Sequence, residues 1–199
     1  MIKKRSDITG VILAGGKSSR MGKDKALLYV GGKSFIEQVA KTLKQVFNDV
    51  VVVSDHDDRY KFLGLPIYQD VIKRCGPLGG IHSALINAMT EKVFIISCDM
   101  PLLRPSAIQT ILNDRRRGDV KLFSLNGEIQ PLCGVYNRRC LPIIENHLKR
   151  KQYSVQKILG DVNSIVIIPK GRSSKTLSQQ LFNINTLREY EKYRCNLKT

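Results

Sequence analysis

Tryptophan is absent from this chain, and histidine occurs only three times, at His56, His82 and His147. None of these stands beside a serine or cysteine in a nucleophile context, so a serine or cysteine hydrolase finds little support. The five cysteines, Cys75, Cys98, Cys133, Cys140 and Cys195, contain no C-x-x-C pair. A zinc ribbon or thioredoxin-like centre is therefore not expected, and scattered single cysteines suit a reducing cytosol. No apolar run approaches the roughly 20 residues that cross a bilayer. The basic start, Met1 to Asp7, is not followed by an apolar stretch of signal-peptide length, because Val11-Ile12-Leu13-Ala14 runs into glycines. The sequence thus reads as a cytoplasmic protein with no membrane partner. It is also short of acid: 17 Asp+Glu against 33 Lys+Arg leave a net charge of +16. Such a charge concentrates anions around the chain. Nucleic acid, a polyphosphate substrate and a plain surplus of solvated lysines all fit it. The basic-aromatic interleaving of an RNA-recognition motif is missing, which counts against nucleic acid as a partner.

What is present alternates. Ile8 to Ala14, Val50 to Val53 and Val93 to Ile96 are short, apolar and rich in β-branched residues, the pattern of strands buried on both faces. Pro66-Ile67-Tyr68 is a shorter strand candidate. Between them, Phe35 to Phe47 has apolar residues at helical spacing with Ser34 placed as its cap. Ile81 to Met89 and Ser106 to Arg116 also read as helices, the latter with Pro105 near its start. In the second half, Val120 to Leu125, Leu132 to Tyr136 and Ser164 to Ile168 read as strands. Leu141 to Leu148 reads as a helix with Pro142 in its first turn. Asn185 is placed to cap a last helix from Thr186, and 170–175 is the most loop-like stretch. Residues 1–199 are expected to form a single α/β domain around a mostly parallel sheet covered on both faces.

Three groups of residues carry chemistry. The first is Leu13-Ala14-Gly15-Gly16-Lys17-Ser18-Ser19-Arg20-Met21-Gly22-Lys23-Asp24-Lys25, where a strand runs into a glycine pair and then into cations and hydroxyls. Glycines let backbone N–H groups approach phosphate oxygens, and Lys17, Arg20, Lys23 and Lys25 can neutralise them. The P-loop pattern fails here, since its first glycine would fall at Val11 while the glycine stands at Gly10. Glycines after a strand also serve plain turns. The second group is Asp99, directly after an apolar strand and before Met100-Pro101. A carboxylate at the C-terminal end of a parallel strand faces the crevice where such sheets bind ligands, and suits Mg²⁺ held jointly with phosphates. It can equally cap a turn. The third is Cys75-Gly76-Pro77-Leu78-Gly79-Gly80-Ile81, a glycine-rich entry to a helix with Asp70 just before it.

Leu13-Ala14-Gly15-Gly16, Arg20-Met21-Gly22 and Lys25 together resemble the opening motif of the nucleotidyltransferases related to sugar-phosphate and cytidylyl transferases. Gly76-Pro77-Leu78-Gly79-Gly80, Cys98-Asp99-Met100-Pro101 and Phe182-Asn183-Ile184-Asn185-Thr186 are similar to blocks of the molybdenum cofactor guanylyltransferases. The resemblance runs from about Ile8 to Tyr190. It implies a Rossmann-like three-layer α/β/α fold, with a nucleotide-binding half over about 8–104 and an acceptor-binding half over about 105–193. It implies Mg²⁺-dependent transfer of GMP from GTP to the terminal phosphate of molybdopterin, with loss of pyrophosphate. A relative using CTP or a sugar phosphate is one alternative, and a non-catalytic basic nucleic-acid-binding protein is the second. By the same resemblance, Leu13, Ala14, Gly15 and Gly16 contact GTP, and Lys25 binds its phosphates. Asp70 belongs to the guanine-nucleotide site, and Asp99 meets both nucleotide and metal. Lys25, Asp99 and Arg20 would carry the catalysis. Gly79, Gly80, Asn183 and Asn185 are assigned to the acceptor. Other cofactor-biosynthesis proteins and recipient molybdoenzymes are the implied protein partners. Some relatives have an asparagine after the second strand, where this chain has Val53-Ser54-Asp55.

Overall fold

The computed structural model describes residues 3–15, 24–55, 57–169 and 172–196. Gly16, Lys17, Arg20 and Lys23 lie outside these, as does His56. The chain opens with strand β1 (Ile8–Leu13), followed by a small hairpin of β2 (Tyr29–Val30) and β3 (Lys33–Ser34). Helix α1 (Phe35–Val46) leads to β4 (Val50–Val53) and β5 (Ile67–Tyr68). Helix α2 (Gly76–Asn87), β6 (Lys92–Ser97) and α3 (Pro105–Leu112) complete the first half. The hairpin β7 (Val120–Leu125) and β8 (Glu128–Asn137) follows, then α4 (Leu141–Lys149) and the single turn α5 (Val155–Ile158). Strand β9 (Ser164–Ile167), α6 (Arg172–Gln180) and α7 (Leu187–Asn196) end it.

One seven-stranded sheet runs in the order β5-β4-β1-β6-β8-β7-β9. Strand β8 is antiparallel to both neighbours, and the other pairings are parallel. Alternation along each strand feeds two cores. Ile8 and Ile12 of β1 meet α1 and α3, with Leu177 of α6 in the same cluster. Val11 and Leu13 face α2, α4 and α5. The central strands therefore have no polar face, which is why they read as unbroken apolar runs. Gly10 belongs to this packing. A Cβ there would lie 2.8 Å from Cδ2 of Phe47, so the glycine admits that ring against β1.

Helix α1 follows its sequence signals closely. Ser34 Oγ accepts from the Glu37 N–H at 3.4 Å, and Glu37 Oε2 accepts from the Ser34 N–H at 2.7 Å. This reciprocal pair satisfies two donors that the first turn would otherwise leave open.

Elsewhere the structure corrects the expected boundaries. Helix α2 begins at Gly76 rather than Ile81, so Gly-Pro-Leu-Gly-Gly is its first turn and a half. Proline costs nothing there because first-turn N–H groups lack intrahelical partners, and tight packing overrides the low propensity of glycine. Helix α3 stops at Leu112, short of Arg116. The Asp114 carboxylate takes the Arg116 N–H at 2.9 Å and draws the backbone away from helix. Strand β8 starts at Glu128 because Asn126 (φ 52°) and Gly127 (φ 85°) make a tight left-handed turn. Residues 172–175, expected as loop, begin α6, a polar helix anchored by Leu177 and Leu181 (7% and 1% exposed). At α7 the Glu189 N–H is taken by Thr186 Oγ1 at 3.2 Å, so threonine caps the helix and Asn185 is released for another role.

Candidate active site

Helix α1 carries the chain from β1 to β4 over one face, and α2 brings it back to β6 over the other. The direction of winding reverses between β1 and β6, and a crevice opens above their C-terminal ends. The strand ends are stitched there: Ala14 N–H donates to Val53 O at 2.9 Å, Cys98 N–H to Leu13 O at 3.2 Å, and Ser54 N–H to Tyr68 O at 2.9 Å. Ala14 itself is buried, so it contributes backbone to this edge.

A cleft of about 750 Å³ occupies the β4 side of this edge. Leu13, Gly15, Val53, Ser54, Asp55, Asp70, Arg74, Gly76, Pro77 and Gly80 line it. Its floor depends on close approach by α2. A Cβ on Gly80 would meet Leu13 Cδ2 at 3.2 Å, and one on Gly79 would meet Ile72 O at 3.0 Å; Asp70 oxygens lie 3.8 Å from each position. Val71 N–H donates to Ser83 Oγ at 2.8 Å, which pins the Asp70 loop to α2. Burial, and secondarily the Asp55 carboxylate, push the Asp70 carboxyl up to about 6. Gly79 and Gly80, expected on the acceptor side, thus stand with Asp70, and Gly80 is part of the cleft wall.

A second cluster forms on the β6 side. Lys25 Nζ donates to Asn185 Oδ1 at 3.0 Å, across 160 residues of sequence. The Ile184 N–H donates to the Asp99 carbonyl at 3.0 Å, fastening the Asn183-Ile184-Asn185 segment to the end of β6. Asn183 is half-buried in that segment. Asp99 Oδ1 is buried without a hydrogen-bond partner among the described residues. Burial raises the Asp99 carboxyl above its usual range, against the opposing pull of Ser97 and the Lys25 ammonium. An acceptor oxygen left open in this way is a strong request for a ligand, since an unpartnered buried carboxylate is costly.

Lys25 is presented by its neighbour. Asp24 Oδ1 accepts from the Ala26 N–H at 3.1 Å, while Oδ2 accepts from Tyr60 Oη at 2.8 Å and from Arg59 at 3.2 Å. The buried Tyr60 hydroxyl is held well above its ordinary range by burial and then by this bond. Asp24 therefore clasps the returning end of the glycine-rich loop to the body of the protein.

The sequence signature of the MobA-like NTP transferase domain matches residues 10–165. The chain belongs to this family. A probable molybdenum cofactor guanylyltransferase of Carboxydothermus hydrogenoformans is 37% identical over 94% of this chain and 94% of its own. The molybdenum cofactor guanylyltransferase of Desulfosudis oleivorans is 34% identical over 96% of each chain. Among solved structures, a putative protein from Aquifex aeolicus superposes with a TM-score of 0.78 at 31% identity, covering 91% of this chain and 94% of its own. The molybdopterin-guanine dinucleotide biosynthesis protein A of Archaeoglobus fulgidus gives 0.80 at 19% identity, with 96% and 98% covered, a likeness of fold.

Within this family fold, the sequence-derived residues separate into two neighbouring sets. Leu13, Gly15, Asp70 and Gly80 share the cleft, and Lys25, Asp99 and Asn185 gather beside it. The sequence reading missed three contributors. Asp24 has no role of its own in the sequence pattern around Lys25, and its partner Tyr60 belongs to no motif. Arg74 lies on the cleft wall with a left-handed backbone (φ 64°), which only a structure reveals. Asp55 was noted as a departure from relatives, and it too lines the cleft. No helix among the described residues is long and apolar enough to cross a membrane.

Proposed function

We propose that this chain transfers GMP from GTP to the terminal phosphate of molybdopterin, releasing pyrophosphate and forming a guanine dinucleotide. The observation that carries the reading is the convergence of Lys25, Asp99 and Asn185 beside a nucleotide-sized cleft at the β1/β6 crevice. The names of relatives above 30% identity supply the guanylyl group and the cofactor.

The nucleoside occupies the cleft between β4, β5 and α2, and the triphosphate extends over the β1 loop toward Lys25. The acceptor is a phosphate monoester, already mostly dianionic at neutral pH because its second pKa is about 6. Its oxygen attacks the α-phosphorus; a new P–O bond forms as the bond to the β-phosphate oxygen breaks, and that electron pair leaves with pyrophosphate. No protein nucleophile is needed, which fits the lack of a paired serine or cysteine. The work left to the protein is positioning and charge stabilisation. Lys25, held by Asn185, offsets charge on the phosphates, with Arg20 a further cation on the same loop in sequence. The half of the chain from about 105 to 193 supplies Asn183 and Asn185 and holds the acceptor.

Mg²⁺ fits this site by the chemistry of its donors. The open Oδ1 of Asp99 offers one hard oxygen, and no group of three metal-ligating side chains occurs among the described residues. A magnesium ion characteristically takes one or two carboxylates and completes its shell with substrate phosphates and water. Bound there by Asp99, it would supply positive charge to the substrate phosphates.

Pyrophosphate release in the presence of molybdopterin tests the reading. GTP is expected to support release, with CTP at least tenfold poorer. Equal or faster release with CTP would replace guanylyl by cytidylyl transfer.

A further inference from the structure

Asn185 is exposed, yet its amide holds the Lys25 ammonium at 3.0 Å. A bond between two exposed side chains aims neither of them unless the backbone under one is fixed, because both otherwise keep their rotamers. Here the backbone is fixed from two directions. On one side, buried Ile184 donates its N–H to the Asp99 carbonyl. On the other, Glu189 Oε2 accepts from the Asn185 N–H at 2.8 Å and from the Thr186 N–H at 2.9 Å. The Glu189 N–H returns to Thr186 Oγ1, which makes the first turn of α7 a reciprocal cap.

Helix α7 is in turn tied to the segment that follows Lys25. Tyr190 Oη donates to the Tyr29 carbonyl at 2.7 Å, and its ring meets Phe35 edge-on with centroids 5.9 Å apart. Tyr29 opens the β2–β3 hairpin and Phe35 follows it, so the lysine's own segment and the cap of α7 form one packed unit. Burial works against the charged Glu189 carboxyl, but the Asn185 and Thr186 N–H groups, the Thr186 hydroxyl and the Lys25 ammonium outweigh it and hold the carboxyl below its usual range. A negative charge this near Lys25 opposes a polyphosphate by Coulomb's law. What Glu189 offers the site is therefore position, not charge.

We infer that Glu189 is a positioning residue for the triphosphate: by bonding the Asn185 and Thr186 N–H groups it fixes the Asn185 amide, and through that amide it aims Lys25. The inference rests on the guanylyl reading, in which the triphosphate runs toward Lys25, and adds the group that sets the lysine's direction.

The test separates reach from charge. Affinities of the intact protein for GTP, GMP and CTP, each with Mg²⁺, are measured by calorimetry. The proteins are the parent, Glu189→Asp, Glu189→Gln, Asn185→Ala and the double variant Glu189→Asp/Asn185→Ala. Glu189→Asp keeps the charge and loses the reach of one methylene. Glu189→Gln keeps the reach and an acceptor oxygen and loses the charge. GMP lacks the β- and γ-phosphates, so the ratio of GTP to GMP affinity reads the lysine, whereas a general loosening of the fold weakens both ligands. The parent is expected to favour GTP about tenfold or more, the worth of one charge-assisted hydrogen bond. Glu189→Asp and Asn185→Ala are each expected to lower that ratio about fivefold. The double variant is expected to lower it no further, and Glu189→Gln to keep the parent ratio or exceed it. An undiminished ratio in Glu189→Asp overturns the inference, as do a Glu189→Gln ratio as low as that of Glu189→Asp and losses that multiply in the double variant. Equal weakening of GTP and GMP also overturns it, and leaves Glu189 a support of α7 alone. Tighter binding of CTP than GTP by the parent would instead remove the guanylyl reading, and the same ratio is then read with CTP and CMP.

Discussion

Replacing Asp24 by alanine separates the stabilising part of the site from its chemistry. The substitution removes three interactions of unequal worth. Tyr60 is 2% exposed, and its hydroxyl would lose its acceptor at 2.8 Å. An unpaired buried hydroxyl costs about 1–3 kcal/mol. The cap on the Ala26 N–H at 3.1 Å contributes about 1 kcal/mol more. Arg59 is half-exposed, and its 3.2 Å ion pair adds little, on the order of 0–1 kcal/mol. The total is about 2–5 kcal/mol, which for a chain of this size lowers the melting temperature by about 4–20 °C. Thermal denaturation of Asp24→Ala, Tyr60→Phe and the double variant, with Arg59→Ala as control, isolates the terms. Asp24→Ala is expected to cost about 1–2 kcal/mol less when Tyr60 is already phenylalanine, and Arg59→Ala is expected to be nearly silent. Because Asp24 also presents Lys25, kcat for GMP transfer should fall in Asp24→Ala at temperatures where it is fully folded. Additive behaviour of Asp24 and Tyr60, or an Arg59→Ala effect as large as that of Asp24→Ala, would refute the reasoning.

Asp99→Asn removes a carboxylate whose charge is disfavoured by burial; melting should be unchanged or raised while GMP transfer at saturating Mg²⁺ falls about a hundredfold or more. Full magnesium-dependent activity in this variant would remove Asp99 from the reaction. Asp70 has a folded-state value of about 6 against an ordinary 3.8, so the native chain binds the extra proton between these values. Its contribution to stability therefore falls as pH rises from about 4 to about 6 and stays low above that. Asp70→Asn should be more stable than the parent above pH 6 by about 1 kcal/mol, the half-exposed position screening a larger nominal effect, and denaturant melts at pH 4 and pH 7 read the difference. Gly10→Ala places a methyl 2.8 Å from the Phe47 ring; it should cost about 1–3 kcal/mol in a urea melt and leave the KM for GTP unaltered, whereas a selective rise in KM would make Gly10 part of the phosphate cradle.

How far the sequence carried depended on whether the signal was local. Val50 to Val53 reads as a strand because both faces are buried, and all four residues are buried in the sheet. Ser34 and Glu37 announce their helix from three residues apart. The start of α2 was obscured because glycine and proline argue against helix one residue at a time, while the reason for those glycines is the distant Asp70 loop and Leu13. The turn at Asn126-Gly127 is legible in the sequence, because an Asn-Gly pair is among the plainest hairpin signals. In the site, Asp99 follows from a carboxylate placed at a strand end, and Lys25 from the cations that follow the glycine pair. The bond from Lys25 to Asn185 and the clasp of Tyr60 on Asp24 join residues remote in sequence, and no periodicity or spacing encodes them.

Following the phosphorus atoms of GTP tests the central claim most directly. The protein is incubated with molybdopterin, Mg²⁺ and GTP labelled at either the α- or the γ-phosphate, and the pterin product is separated. The account predicts that the α label enters the pterin product while the γ label leaves entirely as pyrophosphate. Appearance of the γ label in the pterin, or of the α label only in free GMP, would contradict it.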